Sequence, residues 1–525
     1  GELAGQDVGS VAGTGVPTWI RAWSPLRWAA DLPRTLPSIA KALPEPLLWP
    51  RPRVGLFWTA GNPGALRLEE GDPFSNYSIG VESEDGGYKR PLDPEEARVH
   101  FADAMAWRSF GEKGAAIGRV RVAGTRLNGA LSDYDLPYPG SPFVVMDTAG
   151  SDLGRTEVEM EGGFGWQVGR LGFGLILGYR AHHTRTREAP VPRSLSVADP
   201  GGSLGLAWRV SPGFTVGVHG RWRAHAERVS LYTVAASSRV YRLQGFFEPP
   251  PQDLAGGAYS RRLDREGFAG AVSIGGTVNK VEWVAFTEVG GQEERQHFPG
   301  PDQESDTWTS DALTLGGAVA RSLPSRNGLL SVSGRYTTLS GDATRGDLPD
   351  TTTFLATESV FHAEGEFRLD ASERIGAVSR LVLRHEDRRR TDQLAHVGVP
   401  MRAWTLGFGL AGLFRLKDDL VFSTSLASSR YAAAGGVPDP LEFGKAYGKY
   451  VAPEIALNAS DAWVRAGSLG VQWRQGARTR LWGRLTYLSL SPSSNQSVSL
   501  DVLPDGHRKR WSVEMGMGVV GESFW

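Results

Sequence analysis

The 525-residue chain contains no cysteine. That removes disulfide scaffolds, thiolate zinc sites, iron–sulfur clusters, thiol nucleophiles and CxxCH haem attachment together, so any such chemistry has to come from a bound partner. An excess of one charge is also lacking: 57 basic residues face 58 acidic ones, which excludes a general polyanion binder, and no nucleic-acid partner is expected. Lysine is scarce, at eight of the 57 basic residues against 49 arginines. No run of 18 consecutive apolar residues occurs, so a helical membrane span is not expected, and a mean hydropathy of −0.26 alone describes a soluble chain.

The residues that are abundant overturn that description. Glycine supplies 67 residues, about one in eight against a usual ~7%, and comes with 17 Trp and 21 Phe, which low complexity would not bring. In Leu171-Gly172-Phe173-Gly174-Leu175-Ile176-Leu177-Gly178-Tyr179-Arg180 the odd positions are large and apolar while most even ones are Gly. Period two means strand, with one oily face and one small or polar face. The pattern recurs at Trp404, Leu406, Phe408, Leu410 and Phe414, and at Phe361, Ala363, Gly365, Phe367 and Leu369.

Three features separate a membrane barrel from a soluble sandwich. Many alternating runs last about 10–15 residues, the length a tilted membrane strand requires. Connections alternate between tight ones, as at 111–114, 169–172 and 417–419, and long polar or Pro-rich ones, as at 127–154, 226–264, 340–354, 388–400 and 431–460. Trp511, Val513, Met515, Met517 and Val519 alternate with small or polar residues before the chain closes on Phe524-Trp525, which resembles the signal read by the outer-membrane barrel assembly machinery. The expected fold is all-β: a transmembrane antiparallel barrel of about 18 strands (range 16–20) over 53–525, with short periplasmic turns and long extracellular loops. The first strand starts either at 75 or near 54, and 229–247 is either a strand or part of a long loop.

Residues 1–52 read as an irregular arm. Trp19, Trp23, Trp28 and Trp49 lie among so many prolines that neither a long helix nor a central strand is possible. Three placements are open: a small plug inside the barrel, a position at the periplasmic mouth, or docking on a partner. The arm is too short for the folded plug of a TonB-dependent importer. The first thirty residues lack the layout of a signal peptide. With a barrel fold, the expectation is a mature chain, its signal peptide removed, in the outer membrane of a diderm bacterium.

Motifs for chemistry are decoys. Gly407-x-Gly409-x-x-Gly412 and Gly516-x-Gly518-x-x-Gly521 lie inside alternating strands without a following helix, so they are lumen-facing or bend glycines. His182 and His183 are adjacent on a strand and point to opposite faces. No catalytic residue, metal ligand or cofactor site is expected, and the chain is not expected to be an enzyme. The polar face is more informative. Glu157, Glu159, Glu161, Arg180, Arg209, Arg221, Arg223, Arg335, Glu364, Glu366, Arg368 and Arg415 fall on it, and a turn at Arg170-Leu171 places Glu161 opposite Arg180. This fits a water-filled passage with a mild anion preference, and equally the charge-paired interior that any wide barrel needs. Arg388-Arg389-Arg390 falls in an expected outer loop, where forked guanidinium groups suit lipid phosphates.

Asn62-Pro63-Gly64-Ala65, Pro137-Tyr138, the loop from Asp147 to Gly154 and Gly178-Tyr179-Arg180-Ala181 resemble an uncharacterised outer-membrane barrel family, a domain of unknown function from Bacteroidota-like bacteria. The resemblance is best over about 55–230. It implies fold and location and carries no activity. The Asn-Pro-Gly-Ala start is also similar to that of fatty-acid-transporter-like barrels, which have fewer strands. Two functions are carried forward: a passive channel for small hydrophilic solutes, and a scaffold or conduit that houses or anchors a partner in an envelope complex. Expected partners are outer-membrane lipid and lipopolysaccharide, the assembly machinery, and other envelope proteins met through the arm and long loops.

Overall fold

In the computed structural model the alternating runs pair edge to edge into one antiparallel sheet of 18 strands. In chain order the wall consists of β1 (Phe74–Gly86), β2 (Glu96–Phe110), β3 (Gly114–Ala130), β5 (Ser151–Val168), β6 (Leu171–Thr186), β7 (Arg193–Ser211), β8 (Phe214–Tyr232), β11 (Ala258–Val278), β12 (Val281–His297), β13 (Asp306–Leu323), β14 (Gly328–Arg345), β15 (Leu348–Asp370), β16 (Ile375–Asp392), β17 (Val397–Lys417), β18 (Leu420–Gly435), β19 (Ala462–Gln475), β20 (Thr479–Pro492) and β21 (Arg508–Val520). Each strand pairs with its neighbour in this sequence, and β21 returns to β1 from Phe74↔Val520 to Gly86↔Arg508, so the wall has no free edge. Three short strands, β4 (Phe143–Asp147), β9 (Arg239–Gln244) and β10 (Gln252–Asp253), form a separate small sheet between two of the connections. The structure describes residues 55–57, 59–68 and 73–520, apart from 88, 90–92, 131–142, 148–150, 187–192, 233–238, 245–251, 254–257, 298–304, 324–327, 371–373, 418, 436–451, 476–478 and 494–505. The arm with Trp19, Trp23, Trp28 and Trp49, and the closing Phe524-Trp525, lie outside the described residues.

Alternation sorts the side chains by face. Outward positions such as Leu204, Phe268, Leu406, Phe408, Leu410 and Leu426 are exposed, Leu426 to 72%, and together they make an apolar belt around the wall. Inward positions are glycine, small, polar or charged: on β6 they are Gly172, Gly174, Ile176, Gly178, Arg180, His182 and Thr184. The apolar core is therefore not between layers of wall. It consists of patches inside the barrel where other segments enter, the largest joining residues 56–68 to Met105, Trp107, Ile117, Ile176 and Val284.

The connections after β2, β5, β7, β11, β13, β15, β17 and β19 span two to four residues and share one end of the barrel. At the other end, two expected long loops prove to be strand. The stretch 340–354 is strand except for a two-residue turn between β14 and β15, and 388–400 is strand except for 393–396. Length explains this. The 23 residues of β15 reach roughly 75 Å at about 3.3 Å each, and even tilted by about 40° they rise well above an apolar band of about 25 Å. Beyond the bilayer a strand no longer needs an oily face, so its outer part reads as polar loop. Arg388, Arg389 and Arg390 consequently stand within β16 and not in an outer loop. The wall begins at Phe74, the later of the two starts left open by the sequence, and 229–247 divides between the end of β8 and β9.

Leu410 stands in the middle of the outward face of β17. Replacing it by Arg should lower the free energy of unfolding in lipid vesicles by about 2–4 kcal/mol, read from urea titration of heat-modifiable gel migration. An unchanged midpoint would mean that this face does not meet lipid.

Candidate functional site: a charge-paired lumen with an inner plug

Residues 55–57 and 59–68 lie on the inner wall at the short-turn end of the barrel. Asn62 starts a single 3-10 turn over Pro63–Ala65: its side-chain oxygen accepts from Gly64 N–H at 2.9 Å and Pro63 supplies the first turn position. Its amide Nδ2 donates to the carbonyls of Leu206 at 2.9 Å and Val218 at 3.3 Å, which are cross-strand partners on β7 and β8. The turn can come this close because the wall beneath it has no side chains. A Cβ at Gly205 would sit 2.2 Å from Asn62 Oδ1, and one at Gly174 2.0 Å from the Pro63 carbonyl oxygen. Glycines of the small face of β6 and β7 thus form a shelf for this segment. Arg209 and Arg221, both on the expected polar face, donate to the carbonyls of Leu68 at 2.6 Å and Ala60 at 3.4 Å.

Above the shelf the inner face is ionic. Glu157, Glu159 and Glu161 share the inner face of β5, but in a different register from that expected. Gly169 takes φ 58°, the left-handed region that glycine enters freely, and the turn is Gly169-Arg170, so Val168 pairs with Leu171. Glu159 then faces Arg180, and Glu157 faces His182. Arg119 on β3 links Asp103 at 2.7 Å to Glu159 at 3.3 Å, with all three side chains buried. Arg180 lies 3.7 Å from Glu157, and Arg223 lies 3.4 Å from Asp199, which also bonds His225. Arg221 and His219 meet Glu288 at 3.4 and 3.7 Å. Arg261 bonds Glu227, and Arg265 bonds Glu294.

The opposite side of the wall repeats the theme. Arg380 reaches Glu364 at 2.9 Å and Glu366 at 3.2 Å, while Arg384 and Arg388 share Glu386, and Arg388 also reaches Glu358 at 3.0 Å. Arg335 stands opposite His362 on the inner face, Arg368 opposite Val378, and Arg415 at the short-turn end of β17 opposite Val421. Buried guanidinium and carboxylate groups survive here because each lost hydration shell is replaced by a partner of opposite charge. Sequence reasoning missed most of these partners, among them Asp103, Arg119, Asp199, Glu288 and Arg380. Their inward parity was readable on each strand, but the register that joins them was not.

The outer mouth is narrowed from the other side. The long connection between β18 and β19 carries α1 (Ala452–Asn458), whose Ala452 packs with Trp308, Phe354 and Val399 and whose Leu457 packs with Ala403, Tyr431, Val464 and Leu490. Asp461 fixes its base by accepting from Ala433 N–H at 2.9 Å. Among the described residues no group of three or more His, Cys, Asp and Glu is arranged to hold a metal ion.

Gly205→Val puts atoms where Asn62 sits. It should expel residues 55–68 from the shelf and expose that segment to limited proteolysis while the barrel still migrates as a folded, heat-modifiable species. Protection equal to that of the unaltered chain would count against the shelf.

A search of curated proteins returns no match. Among solved structures, the ferric citrate transporter FecA in its unliganded form is similar with TM-score 0.42 and 10% identity, over 86% of this chain and 79% of that one. BauA, the ferric preacinetobactin receptor of Acinetobacter baumannii, gives 0.38 and 8% over 85% and 80%. A FadL homologue of Pseudomonas aeruginosa gives 0.29 and 12% over 87% and 92%. The sequence profile of a family of unknown function (DUF6850) matches residues 63–519, from the plug turn to the last strand and well past the 55–230 region where the resemblance reads best. With so much of its length matched, the chain belongs to that family of unknown function.

Proposed function

We propose that this chain is an integral outer-membrane barrel through which small hydrophilic solutes diffuse. The observation that carries this reading is the contrast between the two faces of the same strands, an apolar belt outside and ion pairs within. A belt of exposed Leu, Phe, Val and Trp around a closed wall suits lipid and is costly in water. An interior of paired charges is wettable and offers a solute hydrogen bonds in place of its hydration shell. Among the described residues, the apolar cluster that contains residues 56, 57, 60, 65, 66 and 68 meets the wall from β1 to β13, so it lines one side of the short-turn end, and the inner faces of β14 to β21 form the other. The passage in this reading runs along β14 to β21 and narrows beneath α1.

The same two inward segments favour a second reading, a scaffold or conduit barrel whose lumen is occupied and whose work is to hold a partner. In either case the surrounding partners are outer-membrane lipid, including lipopolysaccharide, and the assembly machinery that inserts the mature chain.

Planar-bilayer recordings separate the two. The purified chain should give steady ohmic steps, and deleting residues 55–68 should enlarge them by about two-fold or more if the plug lines the narrow section. Silence from both forms, with subunits co-purifying in mild detergent, would favour the scaffold and reject the channel.

A further inference from the structure

Arg388, expected from the sequence to meet lipid phosphates, bonds Glu358 and Glu386 inside the barrel, but another basic row stands on the outward face. On β2, β3 and β6 the outward positions are marked by Phe110, by Val120 and Val122, and by Leu177 and Tyr179, all of them exposed. Arg98, Arg126 and Arg185 share that parity on their strands, so all three point out of the barrel, toward the end with the long connections. Arg98 and Arg126 are direct cross-strand partners. On its other side Arg126 pairs with Gly154 of β5, and Gly154 pairs with Arg185.

The next outward row toward the short-turn end is His100, Gly124, Thr156 and His183, and the one after it, Ala102, Val122, Val158 and Ala181, begins the apolar belt. At about 3.3 Å per residue the arginine row lies about 13 Å along the strand from Val122, or roughly 10 Å higher for a strand tilted by about 40°. That level is above the hydrocarbon and among lipid headgroups. Like charges directly opposite one another are normally avoided in a sheet, yet Arg98 faces Arg126. Arg98 donates to Glu96 at 2.5 Å, and Arg185 donates from Nε to Nε2 of His183 at 2.6 Å, which ties its guanidinium to this face. Glu96 also accepts from Asn128 at 2.9 Å, and Asp152 accepts from Gly129 N–H at 3.1 Å. Between Arg126 and Arg185 the wall is bare: Gly154 has no side chain, and a Cβ at Gly124 would meet nothing within 4 Å. The result is a notch two strand spacings across, about 10 Å, with a guanidinium on either side.

We propose that this notch docks a phosphate of an outer-leaflet glycolipid, the lipopolysaccharide that adjoins the barrel, with Arg126 and Arg185 as its two clamps and Arg98 adding to the field. The inference deepens the partner reading above and rests on the membrane barrel, not on conduction. The chemistry fits: a guanidinium presents a planar fork of donors that matches two oxygens of a phosphate, which a lone ammonium does not. The position selects a lipid over a free anion. Below the notch the outward face continues through Val122 to Val120, Met160 and Tyr179, all exposed, so acyl chains anchored at the phosphate run down an apolar surface. A soluble phosphate has no use for that surface, while a phosphorylated lipid meets both at once.

The test is native mass spectrometry of the full chain, released from detergent after equilibration with bis-phosphorylated lipid A, with the same lipid stripped of its phosphates, or with phosphatidylglycerol. The unaltered chain should retain the phosphorylated lipid A at least about ten-fold more than either of the others. The double variant Arg126→Gln with Arg185→Gln should lose at least about ten-fold of that retention. Gly124→Phe, which fills the notch and leaves the charge unchanged, should weaken it as well, and Arg402→Gln, at an exposed position paired with Asp387, should not. Heat-modifiable migration identifies which variants are folded, and the single Gln variants serve if the double one is not. Either of the other lipids held as tightly as phosphorylated lipid A, or retention undiminished in folded Gln variants, would overturn the site. Selective retention by a barrel that proves silent in bilayers would leave the site standing and remove only the channel.

Discussion

Everything in this structure follows from the fact that a bilayer offers no hydrogen bond to a peptide group. A sheet can cross hydrocarbon only if every strand finds two partners, and the pairing of β21 with β1 meets that condition. Closure divides the side chains of each strand between lipid and lumen. A strand with leucine and phenylalanine at every second position and glycine, serine or arginine between them is therefore one solution to two solvents at once. The same division spreads the apolar residues so evenly along the chain that their sum looks soluble.

Inside the wall the governing quantity is the cost of desolvating charge. Arg119 between Asp103 and Glu159, and Arg380 between Glu364 and Glu366, show how the chain meets it: register places carboxylates next to a guanidinium, in the first case across three strands. Arginine suits this task better than lysine because its fork serves two carboxylates at fixed angles. The glycine shelf works by the opposite means. Where the wall carries no side chains, as at Gly174 and Gly205, the Asn62-Pro63 turn lies against bare backbone and hydrogen-bonds to it. The lumen is thereby layered, with the plug at the short-turn end, ion pairs in the middle and α1 toward the outer mouth.

The barrel was legible in the sequence because period two is a local property: Leu171 to Arg180 announces its two faces without reference to any other strand. Strand number and the alternation of short and long connections were legible for the same reason. What failed to show was what depends on neighbours. The pairing of Glu157 and Glu159 hinged on whether Gly169 or Arg170 opens the turn, and a shift of one turn residue moved each partner by two. The outer ends of β14 to β17 looked like loops because strands above the bilayer lose the oily face that identifies them. Arg388 among its carboxylates was hidden by the same effect. Nor does any local signal distinguish a glycine that lines water from one that lies beneath Pro63, and the seat of α1 rests on Trp308, Phe354 and Tyr431, contributed by three separated strands.

The absence of cysteine, which excluded so much chemistry, also makes the central claim easy to examine, since single cysteines can be introduced and spin-labelled one at a time. Labels at 404 through 411 of β17, with the chain in lipid vesicles, should alternate. Those at Trp404, Leu406, Phe408 and Leu410 should relax with oxygen dissolved in the bilayer, and those at Thr405, Gly407, Gly409 and Ala411 with a water-soluble nickel complex. Uniform access to the nickel complex along the strand, or loss of the two-residue period, would contradict a membrane barrel with a hydrated lumen.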